Sequence, residues 1–206
     1  MSKITTIIFD LSEVLAPGYY GTEEIIESFT RVSVEDFRAK DRETQDIFRD
    51  TMRGKYTEKE YFDHLLSRAK WELSSEELSI FVRINLSKRL TGSALDVVKE
   101  LKGRYRLVLL SDHVREWVEF LRGHREDIFE LFDDTFFSCD LGLLKNDDPS
   151  ALSRVLDELG ATPEECLFVD DQESNIVVAG SHGISSILYA TPVELQGALD
   201  AYGITV

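Results

Sequence analysis

The chain has 206 residues, 43% hydrophobic and 30% charged, and a formal net charge of −16. That is the balance of an ordinary soluble globular chain, long enough for one domain or one domain plus a small second one. The acidic excess argues against nucleic acid or an anionic membrane as partner, since both need a basic face; it leaves room for a small anionic substrate held by one lysine and a metal. Four histidines and two distant cysteines, Cys139 and Cys166, give neither zinc spacing nor a disulfide framework. Reduced thiols fit a cytoplasmic protein, and no signal-peptide pattern or apolar run of membrane length is present.

The first element, "ITTIIFD", is a β-branched strand over residues 4 to 10 that ends on an acid, Asp10. From about residue 22 to residue 88 the signal is all helical, with apolar residues three and four apart in "TEEIIESF", "SVEDFRAKDRETQDIFRDTM", "TEKEYFDHLLSRAKWEL" and "SSEELSIFVRINLSKRL". Thr22, Ser33, Thr57 and Ser74 or Ser75 are N-cap candidates. From about residue 93 strands and helices alternate: helix "SALDVVKELKGRY", strand "RLVLLSD", helix "VREWVEFLRG", strand "DTFFS", helix "PSALSRVLDELG", strand "CLFVDD", helix "ESNIVVAGSHG", strand "SSILYA", helix "PVELQGALDAYG". Alternation of this kind predicts βαβ units and a parallel sheet. The first strand has no partner in the helical stretch and joins that sheet. The helical block is therefore an insertion between the first and second strands.

Four segments at strand ends carry chemistry: Asp10; Ser111 in "LLSD"; Lys145 in "DLGLLKNDDP"; and Asp170, Asp171 and Asn175 in "LFVDDQESN". In a doubly wound sheet such ends converge on one crevice. Three carboxylates beside a lysine and a hydroxyl suit a hard cation and an anionic group, and magnesium is typically held by carboxylates together with substrate phosphate. The bland readings are an N-cap for Ser111, a solvated loop lysine for Lys145 and a helix cap for Asp171. Four such pieces in this order and spacing outweigh them.

"IIFDLSEVL", "LLSD", "GLLK" and "FVDDQESNIVVA" together resemble the four motifs of the haloacid dehalogenase superfamily of phosphohydrolases. The resemblance covers residues 1–16 and 89–206 as an α/β core and places a helical cap at 17–88. It implies a Rossmann-like parallel sheet of order 3-2-1-4-5. It also implies roles: Asp10 as the nucleophile that forms an aspartyl-phosphate, Ser111 as a hydrogen-bond partner of the phosphoryl group, and Lys145 as the bridge between nucleophile and phosphate. Asp170 and Asp171, with Asp10 and the backbone carbonyl of Ser12, would hold Mg²⁺, and Asn175 would orient the last loop.

Three departures stand out. Ser12 occupies the position where many phosphatases of the superfamily carry a general acid–base Asp, a function worth typically about 10²–10⁴ in rate; a branch with "FDLGGV"-like motifs also lacks it. Asp112 follows Ser111 where Asn is common, and "KNDDP" is one residue longer than the usual "KPDP". The consecutive Ser111, Asp112 and His113 do not form a hydrolase triad, because consecutive residues do not point at one another. The expected function is a Mg²⁺-dependent phosphomonoesterase acting on a small phosphorylated metabolite, for example a sugar phosphate. The alternatives are a metal-independent haloacid dehalogenase and a non-catalytic descendant that binds phosphate or a protein. A dehalogenase would leave Asp170 and Asp171 as like charges without a counter-ion. Tyr19, Tyr20, Phe37 and Phe48 are candidates for setting specificity.

Overall fold

The computed structural model describes residues 3–19, 21–30, 41–69 and 71–206. Five parallel strands form one sheet in the order β3-β2-β1-β4-β5, as the resemblance implied. They are β1 (Thr6–Phe9), β2 (Arg106–Ser111), β3 (Asp134–Phe137), β4 (Cys166–Asp170) and β5 (Ser185–Leu188). The central β1 is buried along its whole length. Ile7 and Phe9 face one core with Leu107, Leu109, Leu167 and Val169, while Ile8 faces the other with Val108, Leu110 and Phe168. A parallel sheet covered on both faces needs continuous apolar strands, which is why β1, β2 and β4 read as unbroken runs. Cys166 is a packed thiol in the second core, and Cys139 is also buried and free.

Helices α1 (Gly21–Thr30), α2 (Arg42–Met52), α3 (Glu58–Ala69) and α4 (Ser75–Leu86) lie between β1 and β2, and α5 (Leu95–Leu101) leads into β2. After β2 come α6 (Arg115–His124) and the one-turn α7 (Glu126–Phe129). The one-turn α8 (Ser138–Leu141) and α9 (Ala151–Leu159) connect β3 to β4, α10 (Glu173–Ser181) connects β4 to β5, and α11 (Pro192–Ala201) follows β5. Caps account for several of these starts. Ser74 and Glu77 form a reciprocal capping box on α4, and Thr57 exchanges hydrogen bonds with Glu60 at the start of α3. Each pair satisfies donors that a helix end leaves free. Thr22 lies inside α1 rather than at its cap, because the helix begins one residue earlier at Gly21. Ser33 lies outside the described residues, and α2 is instead capped by Asp41, whose carboxylate accepts from the backbone N–H groups of Glu43 and Thr44. The one-turn α7 and α8 are too short to show a periodicity in sequence.

The helices before β2 attach to the sheet half at the end of α2. Arg53 makes a two-pronged ion pair with Asp147, its Nε 2.8 Å from Oδ2, and Arg49 donates to Asn146 at 2.9 Å. The Ser138 hydroxyl donates to the Met52 carbonyl at 2.7 Å. Gly54 turns the chain with φ +75°, and a Cβ there would sit 2.5 Å from the Cys139 carbonyl oxygen. Only glycine fits that combination of left-handed backbone and close approach.

Candidate active site

Strand β1 delivers Asp10 to the carboxyl edge of the sheet, 3% exposed. Its carboxylate accepts from the N–H of Leu11 at 2.7 Å. The chain then curls back: the N–H groups of Leu15 and Ala16 donate to the Leu11 carbonyl, and that of Glu13 donates to the Ala16 carbonyl. Glu13 takes a left-handed conformation, φ 57°, and its carboxylate accepts from the Gly18 N–H at 2.6 Å. Glu13 therefore ties down its own loop.

Lys145 is the pivot. Its Nζ lies 2.9 Å from Asp10 Oδ1 and 2.6 Å from Asp170 Oδ2, and its own backbone N–H is held by both oxygens of Asp112 at 3.1 and 3.2 Å. Asp170 is fully buried; it also accepts from the Asn175 side chain at 3.0 and 3.1 Å and from the Gln172 N–H at 2.8 Å. Asn175 thus orients Asp170 itself. Asp171, half-buried, accepts from the Gln172 side chain at 2.6 Å. One oxygen each from Asp10, Asp170 and Asp171 falls within a 4.8 Å span. Carboxylate oxygens around an octahedral magnesium ion at 2.0–2.1 Å stand about 3–4 Å apart, so this all-oxygen set suits a hard divalent cation with small adjustments.

The electrostatics agree with that geometry. Burial, reinforced by Asp170, pushes the Asp10 carboxyl up to about 7 against the pull of Lys145. Burial also raises Asp171, with Asp170 adding to it. For Lys145 burial works against the charge, but Asp10, Asp170 and Asp112 outweigh it and hold the ammonium above its ordinary range. Three acids share one lysine, and the cluster lacks positive charge.

The crevice over these groups is a cavity of about 200 Å³, below the usual range for drug-sized ligands. Asp10, Ser12, Lys145, Asp171 and Asn175 line it on the sheet side. Tyr19, Phe48, Met52 and Trp117 line the opposite side. Asp170 stands behind Lys145. Ser111 is not among the lining residues; its Oγ is buried at the end of β2 without a hydrogen-bond partner. The absence of a Ser111–Asp112–His113 relay is plain, since the Asp112 carboxylate is spent on the Lys145 N–H. Tyr20 and Phe37 lie outside the described residues.

Sequence reasoning missed three features. Asp112, in sequence only a departure from the common Asn, is the group that positions Lys145, and burial lifts it to about 6. Asp147, the extra acid of "KNDDP", accepts from the Leu144 N–H at 2.9 Å and from Arg53, so the longer loop is stapled on both sides. Trp117 reaches the cavity from α6, which the helical period of its segment alone could not reveal. His113 is buried in the cavity wall with Nε2 unpartnered.

A parallel sheet of this order, with its strand ends gathered round one acidic crevice, defines a Rossmann-like α/β enzyme. The family model for haloacid dehalogenase-like hydrolases matches residues 4–183, and the chain belongs to that family. It is 30% identical over 158 residues to drimenol cyclase drtB of Aspergillus calidoustus, spanning 75% of this chain and only 29% of that relative's length. Among solved structures it is similar to one described as a predicted HAD-like family hydrolase from Porphyromonas gingivalis (22% identity, TM-score 0.75, 97% and 98% of the two chains). A HAD family enzyme of Bacteroides thetaiotaomicron, crystallised with magnesium and inorganic phosphate, is similar at 21% identity and TM-score 0.71 over 91% and 95% of the chains. A dehalogenase structure matches at 19% identity and TM-score 0.67 over 90% and 84%. At these identities the likeness is one of fold. Among the described residues no helix is long and apolar enough to cross a membrane.

Proposed function

We propose that this hydrolase is a Mg²⁺-dependent phosphomonoesterase that acts on a small phosphorylated metabolite through an aspartyl-phosphate on Asp10. The observation that carries the reading is the placement of Lys145 Nζ between Asp10 and Asp170, with Asp171 completing an oxygen cluster. A carboxylate that attacks a phosphoryl group needs its own charge and that of the phosphate offset, and here the offset is one lysine plus room for a cation. Mg²⁺ held by Asp10, Asp170, Asp171 and the Ser12 carbonyl would supply that neutralisation.

The chain's residues then divide the work. An Asp10 oxygen attacks phosphorus; the bond from phosphorus to the alcohol oxygen breaks, and its electron pair leaves on that oxygen. Lys145 holds Asp10 in line, Asp112 holds Lys145, and Asn175 holds Asp170. The unpartnered Ser111 hydroxyl is the group assigned to the phosphoryl oxygens. Water next attacks the same phosphorus, the bond to Asp10 breaks, the carboxylate is restored, and the water's hydrogens depart on inorganic phosphate. Residues 17–88 act as a cap over the crevice, and the protein works in the cytoplasm.

The dehalogenase neighbour keeps a metal-free reaction in view, but the Asp170–Asp171 pair favours the phosphatase, since two acids beside a third are unfavourable without a counter-ion. Phosphate release from a metabolite panel, with Mg²⁺ and with EDTA, tests the choice. Mg²⁺-dependent release that Asp10→Asn abolishes supports it; chloride release from a haloacid in EDTA overturns it.

A further inference from the structure

The wall opposite the carboxylates is aromatic and prearranged. Tyr19 and Trp117 stack at 5.0 Å with their planes 12° apart. Phe48 meets Tyr19 at 5.1 Å and Trp117 at 6.1 Å. The indole N–H of Trp117 donates to Glu58 at 2.5 Å, and Glu58, 6% exposed, is paired with Arg83 through both its oxygens at 2.7 and 3.0 Å. Trp117 is therefore held in place before any substrate arrives. Tyr19 and Trp117, 8% and 1% exposed, spend their faces on each other, so the half-buried Phe48 is the ring of this cluster left to meet a flat partner.

Charge narrows the partner further. Among the described residues that line the cavity, the cationic side chains are Lys145 and Arg49. Lys145 is held by two carboxylates, and Arg49 is turned to Asn146 and Asp147 at 2.9 and 3.4 Å. Asp10, Glu13, Asp112 and Asp171 stand on the same walls. A second anionic group on the substrate meets net repulsion there.

The third observation is the missing acid. Ser12 offers a hydroxyl where a carboxylic acid would protonate the leaving oxygen. Glu13 is committed to the Gly18 N–H. His113 lines the cavity, but its unpartnered Nε2 is buried, and burial, with Lys145 adding to it, holds its pKa down near 4, so at neutral pH it is uncharged and has no proton to give the leaving oxygen. A leaving group here departs as its own anion. A phenol does so readily, with a pKa of about 10 as in tyrosine; the far more basic oxygen of an ordinary alcohol, close to that of water, does not.

The geometry points to an aryl or enolic phosphomonoester without a second anionic group as the substrate, its flat ring seated against Phe48 at the edge of the Tyr19–Phe48–Trp117 cluster. This rests on the phosphatase reading and replaces the sugar phosphate with a different class. The aryl–oxygen to phosphorus bond breaks with its electron pair on the aryl oxygen, which then takes its proton from solvent.

The test is a steady-state comparison, with Mg²⁺, of phenyl, 2-naphthyl, 4-carboxyphenyl and cyclohexyl phosphates and glucose 6-phosphate. Phenyl phosphate is expected to exceed its saturated counterpart by about 100-fold or more in kcat/KM, since the general-acid contribution is worth about 10²–10⁴. The 4-carboxyphenyl ester is expected to show a higher KM than phenyl phosphate. Phe48→Ala, at a half-buried position, is expected to lower kcat/KM for the naphthyl ester about threefold to tenfold through KM, with kcat kept, as loss of ring contact without a change in chemistry requires. Equal turnover of phenyl and cyclohexyl phosphates, preference for glucose 6-phosphate, or an unchanged KM in Phe48→Ala overturns this inference and leaves the phosphatase standing. Release from none of the esters overturns both.

Discussion

The two walls of the crevice are built on opposite principles. On the sheet side the groups are charged or polar, they come from strand ends and from the loops that follow, and the central ones are held by several short contacts: Lys145 by three acids, Asp170 by Lys145, Asn175 and a backbone N–H. On the other side, rings from the β1–α1 loop, α2 and α6 pack on one another, and the buried Glu58, paired with the half-buried Arg83, holds a ring. On the function proposed above, the difference separates chemistry from selection. A preorganised charge cluster stabilises a transition state wherever the substrate's remainder lies, whereas binding energy away from phosphorus decides which substrate is brought there.

The sharpest way to break this division is Asp10→Asn. Activity is expected to fall about 10⁴-fold or more, because an amide cannot form the covalent intermediate, while the circular dichroism spectrum and substrate selection in a binding assay stay as they were. Appreciable residual turnover would remove Asp10 from the reaction.

Lys145→Met asks how far the charge cluster stands on its one cation. With Asp10, Asp170 and Asp112 left without it, unfolding in urea with EDTA present is expected to show a loss of about 3–5 kcal/mol, the usual result of removing one partner of a buried pair. Saturating Mg²⁺ is expected to restore part of it. An unchanged midpoint in both conditions would mean that the acids are already neutral.

Ser12→Asp sharpens the comparison from the sheet side. An acid at that position is expected to raise the rate on cyclohexyl phosphate by about tenfold or more while moving phenyl phosphate less. Equal effects on the two esters would show that leaving-group protonation does not limit the rate.

Arg53→Ala unhooks the staple between the walls. The pair with Asp147 is two-pronged and partly shielded, with side-chain exposures of 18% and 15%, so about 1–2 kcal/mol of stability is expected to go. Because Asp147 also holds the Leu144 N–H next to Lys145, kcat is expected to drop a few-fold along with it. A change in melting temperature with kinetics untouched would make the staple purely structural.

pH acts on the same charged wall. Asp10 in the folded protein titrates near 7, above its ordinary value of about 3.9. A raised acid contributes stability that is present in full below its unfolded pKa and is lost as pH rises through the folded one. The metal-free protein is therefore expected to lose stability from this group between about pH 4 and 7. A cation that takes up the ionised carboxylate offsets that loss, so the rise in melting temperature on adding Mg²⁺ is expected to be greater at pH 8 than at pH 5.5. An equal rise at both would rule out Asp10 as the linked group.

Local pattern carried much of this protein. The apolar runs that end in Asp10, Ser111 and Asp170 are strands because a doubly covered parallel sheet admits no alternation, and the capping pairs at Thr57 and Ser74 mark helix starts because their partners lie three residues away. Those signals are short-range, so the sheet, the helical insertion and the acidic trio could be read from residue order. What lay beyond reach were contacts between residues far apart in the chain. Asp112 looks like a stray acid until the fold brings it under the Lys145 N–H, 33 residues away. Asp147 meets Arg53 across 94 residues, and Trp117 meets Glu58 across 59. Sequence spacing determines which face of an element a side chain takes; only packing the helices onto the sheet decides what that face meets, and here it is packing that separates a charged wall from an aromatic one.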